Sequence, residues 1–255
     1  MDIVVVNYHT PGDLERFLRT LDDHPPRQES TLTVVDVDSH PREEPLKWSG
    51  GEGTLIGVVD NIGYARACNL AARRTNGNVL AFFNADIELT PGALTQCENE
   101  LLTKPGWAIL GPCQVDTRNR IRHAGIFGTL ETPMHRGWNE VNRGQYRDTR
   151  DAVTVSGSAY FIKRCAWNAL WLCPIYRSVA PDADGAFLPT PHYYEETWLS
   201  YHAQAHGYRV IYYGGATLIH KWHRASPIGG WAERQMPISR EMFREACDRH
   251  GIAHD

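Results

Sequence analysis

Residues 3–7 (IVVVN) form an apolar run of strand length, and a helix start follows at once. Thr10 suits a cap, Pro11 the first helical position, and Asp13 and Glu15 the first turn, where carboxylates meet the positive end of the helix dipole. Leu14, Phe17, Leu18 and Leu21 recur at helical spacing and predict one buried face. After a polar turn at 22–30, strands are predicted at 31–37 (TLTVVDV) and 54–59 (TLIGVV), separated by a loop rich in proline, glycine and charge. A helix around 65–75 then precedes the very apolar strand 79–84 (VLAFFN). Thr90-Pro91 repeats the Thr-Pro helix start, with Leu94, Cys97 and Leu101 on one face.

This alternation is the rhythm of a three-layer α/β unit with a mostly parallel sheet. In such sheets ligands collect beyond the carboxyl ends of the strands. Asn7, Asp36, Asp60, Asn84 and Asp86 all fall there, which is the first functional signal. The second half is less regular, with strands predicted near 107–111, 121–127 and 152–163 (AVTVSGSAYFIK). A helix begins near Glu195, with Trp198, Leu199, His202 and Ala205 inward and Gly207 as its stop. Strands near 208–213 and 216–220 and a Pro/Gly-rich loop at 226–231 follow. Ser239 is read as the cap of a last helix that carries Met242, Phe243, Ala246 and Cys247 and ends at Gly251. No internal repeat or linker interrupts the chain, so one compact domain is expected.

Composition narrows the classes. With 255 residues, 42% of them hydrophobic, roughly a hundred apolar side chains can build a large core. A net charge of −4 argues against a dedicated nucleic-acid binder, and the apolar content argues against disorder. No stretch reaches the ~20 apolar residues of a membrane span. MDIVVVNY lacks a basic leader and reads as a buried strand, so a cytoplasmic chain is expected, with peripheral membrane contact left open. The six cysteines are scattered without a Cys-x-x-Cys pair, which favours free thiols in a reducing cytosol over a disulfide framework or a Cys-rich zinc site. Full protonation of the twelve histidines would carry the net charge from −4 to +8, so anionic partners would bind more tightly as pH falls through about 6.5.

The turn after the first strand reads NYHTPG, so the glycine fingerprint of dinucleotide folds is absent. A phosphate-loop lysine motif and a Gly-x-Ser-x-Gly elbow are absent too. Carboxylates at the crevice instead point to a metal bridging to phosphate. Four blocks, VVVNY, VVDVDS, NIGYARACNLAARRTNGNVLAFFNADIEL and VSGSAYFIKR with YYEETWLSYHAQAHGYRVIYY and TLIH, resemble the inverting glycosyltransferases of family 2, in particular rhamnosyltransferase-like members. The third block is the most specific, because Asn61, Gly63, Asn69 and the Asn84-x-Asp86 end fall at family spacing. The resemblance covers about residues 3–223. It implies the GT-A fold, with a nucleotide-binding half at about 1–112 and an acceptor-side half at 113–223, and leaves 224–255 as a loop and helix packing on the same domain.

The resemblance also implies roles. Asp36 would accept the imide N–H of uracil or thymine, although a turn-forming Asp fits the same pattern. Asn7 and Tyr8 would flank that base, or simply pack at the strand end. Asn61 and Gly63 lead into a helix whose free N–H groups suit a diphosphate, and equally suit an ordinary helix start. Arg66 either reaches a phosphate or stays a solvated charge. Asn84, Ala85 and Asp86 occupy the place of the family's Asp-x-Asp, so Asp86 would bridge a divalent cation, Mn²⁺ or Mg²⁺, to the donor phosphates. Asn84 departs from that pattern and contributes no charge. His220, closing TLIH, would sit near the metal or diphosphate and favours Mn²⁺, with His223 as the alternative. Lys221 and Arg224 would place positive charge beside the phosphates.

Glu195-Glu196 stands where the family has Glu-Asp, whose second acid is the general base. Glu196 is therefore the expected base with Glu195 as the alternative, while acids in a first helical turn also stabilise the dipole without catalysis. Gly157 and Ser158 would present backbone N–H groups to donor or acceptor sugar. Trp198 and Trp222 are read as sugar contacts, with Trp138 and Trp231 as further stacking candidates, although a single tryptophan more often packs than serves as a sugar platform. Trp198 and His202 replace a frequent Asp and Arg, so the acceptor side differs from typical members, and the long segment 174–192 should shape acceptor choice. The implied partners are a UDP- or dTDP-sugar and a glycan, lipid-linked or protein acceptor, as in polysaccharide biosynthesis, and no nucleic acid. The rivals are a sugar nucleotidyltransferase, which would want a basic glycine-rich loop after the first strand, and a non-catalytic nucleotide-sugar binder.

Overall fold

A computed structural model describes residues 1–129, 132–222 and 230–253. Four strands whose apolar runs are readable in the sequence lie side by side and parallel: β4 (Gly51–Val58), β2 (Thr31–Val37), β1 (Asp2–Tyr8) and β5 (Val79–Asn84). The sheet continues through β12 (Ala159–Lys163), antiparallel to β5, then β7 (Trp107–Val115) and β13 (Arg209–His220), and ends at β11 (Thr149–Asp151). On the opposite edge β3 (Arg42–Trp48) pairs antiparallel with β4. Two short strands, β6 (Ile87–Glu88) on β13 and β8 (Ile121–His123) on β7, complete an eleven-stranded sheet. A separate hairpin joins β9 (Ile126–Gly128) and β10 (Pro133–His135).

Alternation along the central strands sorts the core into two layers. Ile3 and Val5 of β1 and Phe83 of β5 face α1 (Pro11–Asp23) and α3 (Ala93–Thr103), whose Phe17, Leu21, Cys97 and Leu101 are buried. Val4 and Phe82 face the opposite layer, built from α2 (Gly63–Ala72), α4 (Arg164–Trp171), α5 (Pro174–Val179), α6 (Glu195–Ala205) and α7 (Trp231–His250). The adjacent phenylalanines show the division: Phe83 meets Phe17 and Phe161 at 5.5 Å, while Phe82 meets Trp167 at 5.2 Å and Phe187 at 5.0 Å. Burying each ring contributes about 1.5–3 kcal/mol. The result is a three-layer α/β sandwich, as the sequence predicts.

Several local expectations are corrected. The charged segment 42–48 is a strand, because an exposed edge strand needs no apolar alternation and charge there discourages further pairing. Only 159–163 of the predicted strand 152–163 is strand, and 209–220 is one bulged strand. Neither Thr10 nor Thr90 caps through its side chain: the Thr10 hydroxyl donates to Asn7, the Thr90 hydroxyl donates to the Thr217 carbonyl, and α3 begins at Ala93. Ala205 is exposed, whereas Ala203 is buried. The last helix begins at Trp231, eight residues before Ser239, and runs through Pro237. Ser239 is thus interior to the helix, and its hydroxyl accepts the His192 N–H. Among the described residues no helix is long and apolar enough to cross a membrane.

Candidate active site

The parallel strands β1, β2, β4 and β5 deliver their carboxyl ends to one edge, and the polar residues there are bonded to one another. Asn7 Nδ2 donates to Asp36 Oδ1 at 2.8 Å, and the Thr10 hydroxyl donates to Asn7 Oδ1 at 2.8 Å. Arg42, from the unforeseen β3, donates to Asp36 Oδ2 at 3.0 Å. Tyr8 is half-buried against the core beside this pair, and Asp60 is exposed beyond the end of β4. At the start of α2, Asn61 Oδ1 accepts the Gly63 N–H at 3.1 Å. Position 63 demands glycine: φ is +76° and a Cβ would lie 2.7 Å from the Pro191 carbonyl oxygen. Arg66 is exposed on α2.

Beyond β5 the chain turns through Asn84, buried Ala85 and Asp86. Asp86 Oδ2 lies 3.3 Å from His220 Nε2, with both side chains largely buried. The opposite nitrogen of that ring, Nδ1, meets Gln114 Oε1 at 3.1 Å. Because the amide oxygen only accepts, Nδ1 carries a hydrogen, which leaves Nε2 as the ring atom directed at the carboxylate, bridged to it either by a second ring proton or by a shared cation. A carboxylate oxygen and an imidazole nitrogen converging in a largely buried site are a donor set for a first-row divalent metal. The residues fit the cation that the sequence implies. Lys221 does not join them, because its ammonium is buried between Asp13 at 3.4 Å and Glu88 at 3.2 Å. His223 and Arg224 lie outside the described residues.

Gln114 was missed in the sequence, although a glutamine within the wholly buried β7 (WAILGPCQV) is itself a signal. Its Oε1 also accepts the Ser158 hydroxyl at 2.7 Å. Ser158 is therefore a buried brace for the His220 support, and its carbonyl accepts the Asn84 N–H at 3.0 Å. Gly157 next to it accepts the Tyr64 hydroxyl at 2.7 Å, and a Cβ there would stand 3.4 Å from Glu196 Cγ. One turn, 157–158, thus lies between the Asp86–His220 pair and the acidic pair of α6.

Tyr193 and Tyr194 both adopt left-handed φ, +68° and +70°, a strained entry that sets the start of α6. Glu195 points inward, and its Oε2 accepts the Thr190 hydroxyl at 3.2 Å. Glu196 Oε2 is sealed from solvent and has no hydrogen-bond partner among the described residues. It borders a cavity of about 210 Å³ lined with Thr154, Tyr194, Tyr201, Phe127 and His135. Burial pushes both carboxyl pKa values well above the ordinary range, and the charge of Glu196 raises Glu195 further. The larger concavity, about 670 Å³ over the β3–β4 hairpin, contains none of these groups.

The tryptophans separate. Trp198 is fully buried, stacked 5.1 Å from His202 and 5.6 Å from Tyr176, so it packs the core and cannot meet a sugar. Trp222 is 40% exposed, 5.4 Å from the His220 ring, and 4.9 Å from Trp138. Arg122, pinned by Asp116 at 2.6 Å, lies over both indoles. Trp231 starts α7 near His192, away from this group.

No family model and no curated protein matches the chain. Solved structures do. The chain superposes on GalNAc-T7, solved with UDP, GalNAc and Mn²⁺, with a TM-score of 0.61 at 14% identity over 89% of its own length and 44% of that protein. It superposes on the mannosyltransferase PcManGT from Pyrobaculum calidifontis, solved with GDP-Man and Mn²⁺, with a TM-score of 0.57 at 14% identity, covering 97% of this chain and 73% of that one. For residues 1–349 of TarS from S. aureus the TM-score is 0.55 at 12% identity, covering 98% and 71%. The chain therefore spans less than half of GalNAc-T7 and most of the other two. Its architecture is the GT-A fold of these glycosyltransferases.

Proposed function

We propose that the chain is a metal-dependent inverting glycosyltransferase of family 2 type, which moves a hexosyl or deoxyhexosyl group from a UDP- or dTDP-sugar to an acceptor hydroxyl. The observation that carries this reading is the turn 157–158, with a cation-ready Asp86–His220 pair on one side and an unpartnered carboxylate oxygen of Glu196 on the other. A cation held by Asp86 and His220, Mn²⁺ in preference to Mg²⁺ on imidazole chemistry, supplies charge stabilisation to the departing nucleoside diphosphate. The two ligand-bearing neighbours carry Mn²⁺ with UDP or GDP-mannose, which supports a nucleotide-sugar donor.

Glu196 is the base. Its raised pKa suits proton acceptance near neutral pH, and Oε2 receives the acceptor hydroxyl proton as that oxygen attacks the anomeric carbon opposite the diphosphate. Glu195, occupied by Thr190 and buried deeper, holds the start of α6. Asp36 reads the base: a uracil or thymine imide N–H takes the Oδ2 position now bonded by the partly exposed Arg42, while Asn7 keeps Oδ1 oriented. The N-terminus of α2 at Gly63, with Arg66, faces the diphosphate. Trp222 and Trp138 form the sugar platform beside His220, and the cavity at Glu196 admits a glycan, lipid-linked or protein hydroxyl in the cytoplasm.

Thermal-shift titration of UDP, dTDP and GDP with and without Mn²⁺ tests this reading. A nucleotide at 100 times its Kd adds about 2.7 kcal/mol to stability. UDP or dTDP should raise Tm only with Mn²⁺, and Asp86→Ala should remove the increase. No shift with any of the three in the presence of Mn²⁺ overturns the proposal.

A further inference from the structure

A second set of metal-ligating side chains lies away from the crevice, toward the other end of α6. Cys173 in the turn between α4 and α5, His202 on α6, His206 one turn later at the C-cap of that helix, and His250 at the end of α7 each offer one donor atom, and those atoms all lie within 4.8 Å of one another. The scattered cysteines argue against a Cys-rich site, but only one of these four ligands is a cysteine. The histidines come from two helices that meet only in the folded chain.

The hydrogen bonds prepare the ligands. His202 Nε2 lies 3.1 Å from the Leu170 carbonyl oxygen, which only accepts, so the free lone pair is on Nδ1. That Nδ1 is buried and has no hydrogen-bond partner among the described residues, in a side chain with no exposure. His206 Nδ1 donates to the His202 carbonyl at 3.0 Å, which leaves the Nε2 lone pair 3.5 Å from Cys173 Sγ. His250 Nε2 lies 4.0 Å from the same sulfur. With Zn–S near 2.3 Å and Zn–N near 2.0–2.1 Å, the sulfur–nitrogen edge of a tetrahedral site is about 3.5 Å. Backbone carbonyls fix two imidazole tautomers, as outer-sphere partners do at zinc sites. Without a cation, the buried His202 Nδ1 lone pair has no donor among the described residues.

We propose that Cys173, His202, His206 and His250 bind Zn²⁺ in a closed, four-ligand structural site that fixes α7 against α6 and the α4–α5 turn. Four protein ligands leave no open position, so the site is structural. It is distinct from Asp86–His220 in ligand chemistry, and it stands whether or not the chain transfers sugar.

Metal analysis of the purified full-length chain, followed by Co²⁺ replacement, tests it. The expectation is about one zinc per chain, retained through dialysis against Mn²⁺. The Co²⁺ form should show tetrahedral ligand-field bands and a thiolate-to-cobalt charge-transfer band. Asp86→Ala should keep both the zinc and the spectrum. Cys173→Ser should lose the thiolate band and weaken zinc binding by roughly tenfold or more. If that variant does not fold, His206→Ala, at an exposed position, provides the second reading through weaker zinc retention. A folded wild-type chain that holds no stoichiometric zinc and gives no thiolate band when titrated with Co²⁺ overturns the proposal.

Discussion

The carboxyl edge of the parallel strands and the N-terminus of α6 treat their acids in opposite ways. At the strand edge, Asp36 already accepts from Asn7 and Arg42, and the Arg42 bond is partly open to solvent. Such a group is ordered before a ligand arrives, and exchanging one exposed donor for another costs little. At α6, Glu196 Oε2 is buried with no partner among the described residues, and the carboxyl pKa is raised by burial. That arrangement destabilises the fold and pays only if the oxygen takes up a proton during turnover. A binding acid and a reacting acid can thus be told apart by what already touches them.

The sharpest way to break this contrast is to remove the proton acceptor while keeping its shape. Glu196→Gln should lower kcat by about 10²–10⁴-fold and leave nucleotide affinity unchanged by calorimetry. Glu195→Gln, which keeps an acceptor for the Thr190 hydroxyl, should retain most of the transfer rate. Equal loss in both variants would spread the base role over the pair and end the distinction.

Next in size is a core test on the same helix. Trp198 has no exposure and stacks on His202 and Tyr176. Trp198→Ala should cost about 3–5 kcal/mol in urea unfolding, with the acceptor KM of the surviving folded enzyme unchanged. A raised KM with little loss of stability would return Trp198 to the sugar site. Smaller again is the brace behind His220: Gln114→Leu removes its Nδ1 acceptor. Divalent-metal affinity should fall about 10–100-fold, read as the Mn²⁺ concentration needed for the nucleotide-dependent Tm shift.

The same contrast explains what the sequence could show. The strand-edge residues sit in short blocks, each next to an apolar run that announces its strand, so Asn7, Asp36, Asn84 and Asp86 can be placed without a structure. Arg42 could not be, because β3 is an exposed edge strand whose charged pattern carries no period. Pro237 hid the first half of α7, since a proline normally ends a helix. Trp198 was misassigned because the buried and exposed faces of α6 both carry polar and aromatic residues. Gln114, Ser158 and His220 meet through side chains of three strands or turns far apart in the chain, and local spacing carries no information on such contacts. The convergence of Cys173 with His202, His206 and His250 was illegible for the same reason.

The smallest effect is a stability slope set by the acidic pair. Both carboxyl pKa values are raised in the folded state, by burial first and, for Glu195, by the neighbouring charge of Glu196. The unfolded chain ionises near its ordinary value of about 4.3. Below that pH both states are protonated and the pair costs nothing. As pH rises, the unfolded state loses protons first, so stability declines until the folded carboxyls also ionise, and the loss is then complete. Glu195→Gln removes one of the two groups and should therefore flatten the slope. At pH 7 the variant should gain on the order of 1 kcal/mol, a Tm increase of roughly 2–4 °C for a chain of this size, and near pH 4 the two proteins should melt together. A variant less stable than the parent at pH 7 would mean that the Glu195 charge is stabilised in the fold, and the division of α6 into one structural and one reactive acid would lose its electrostatic basis.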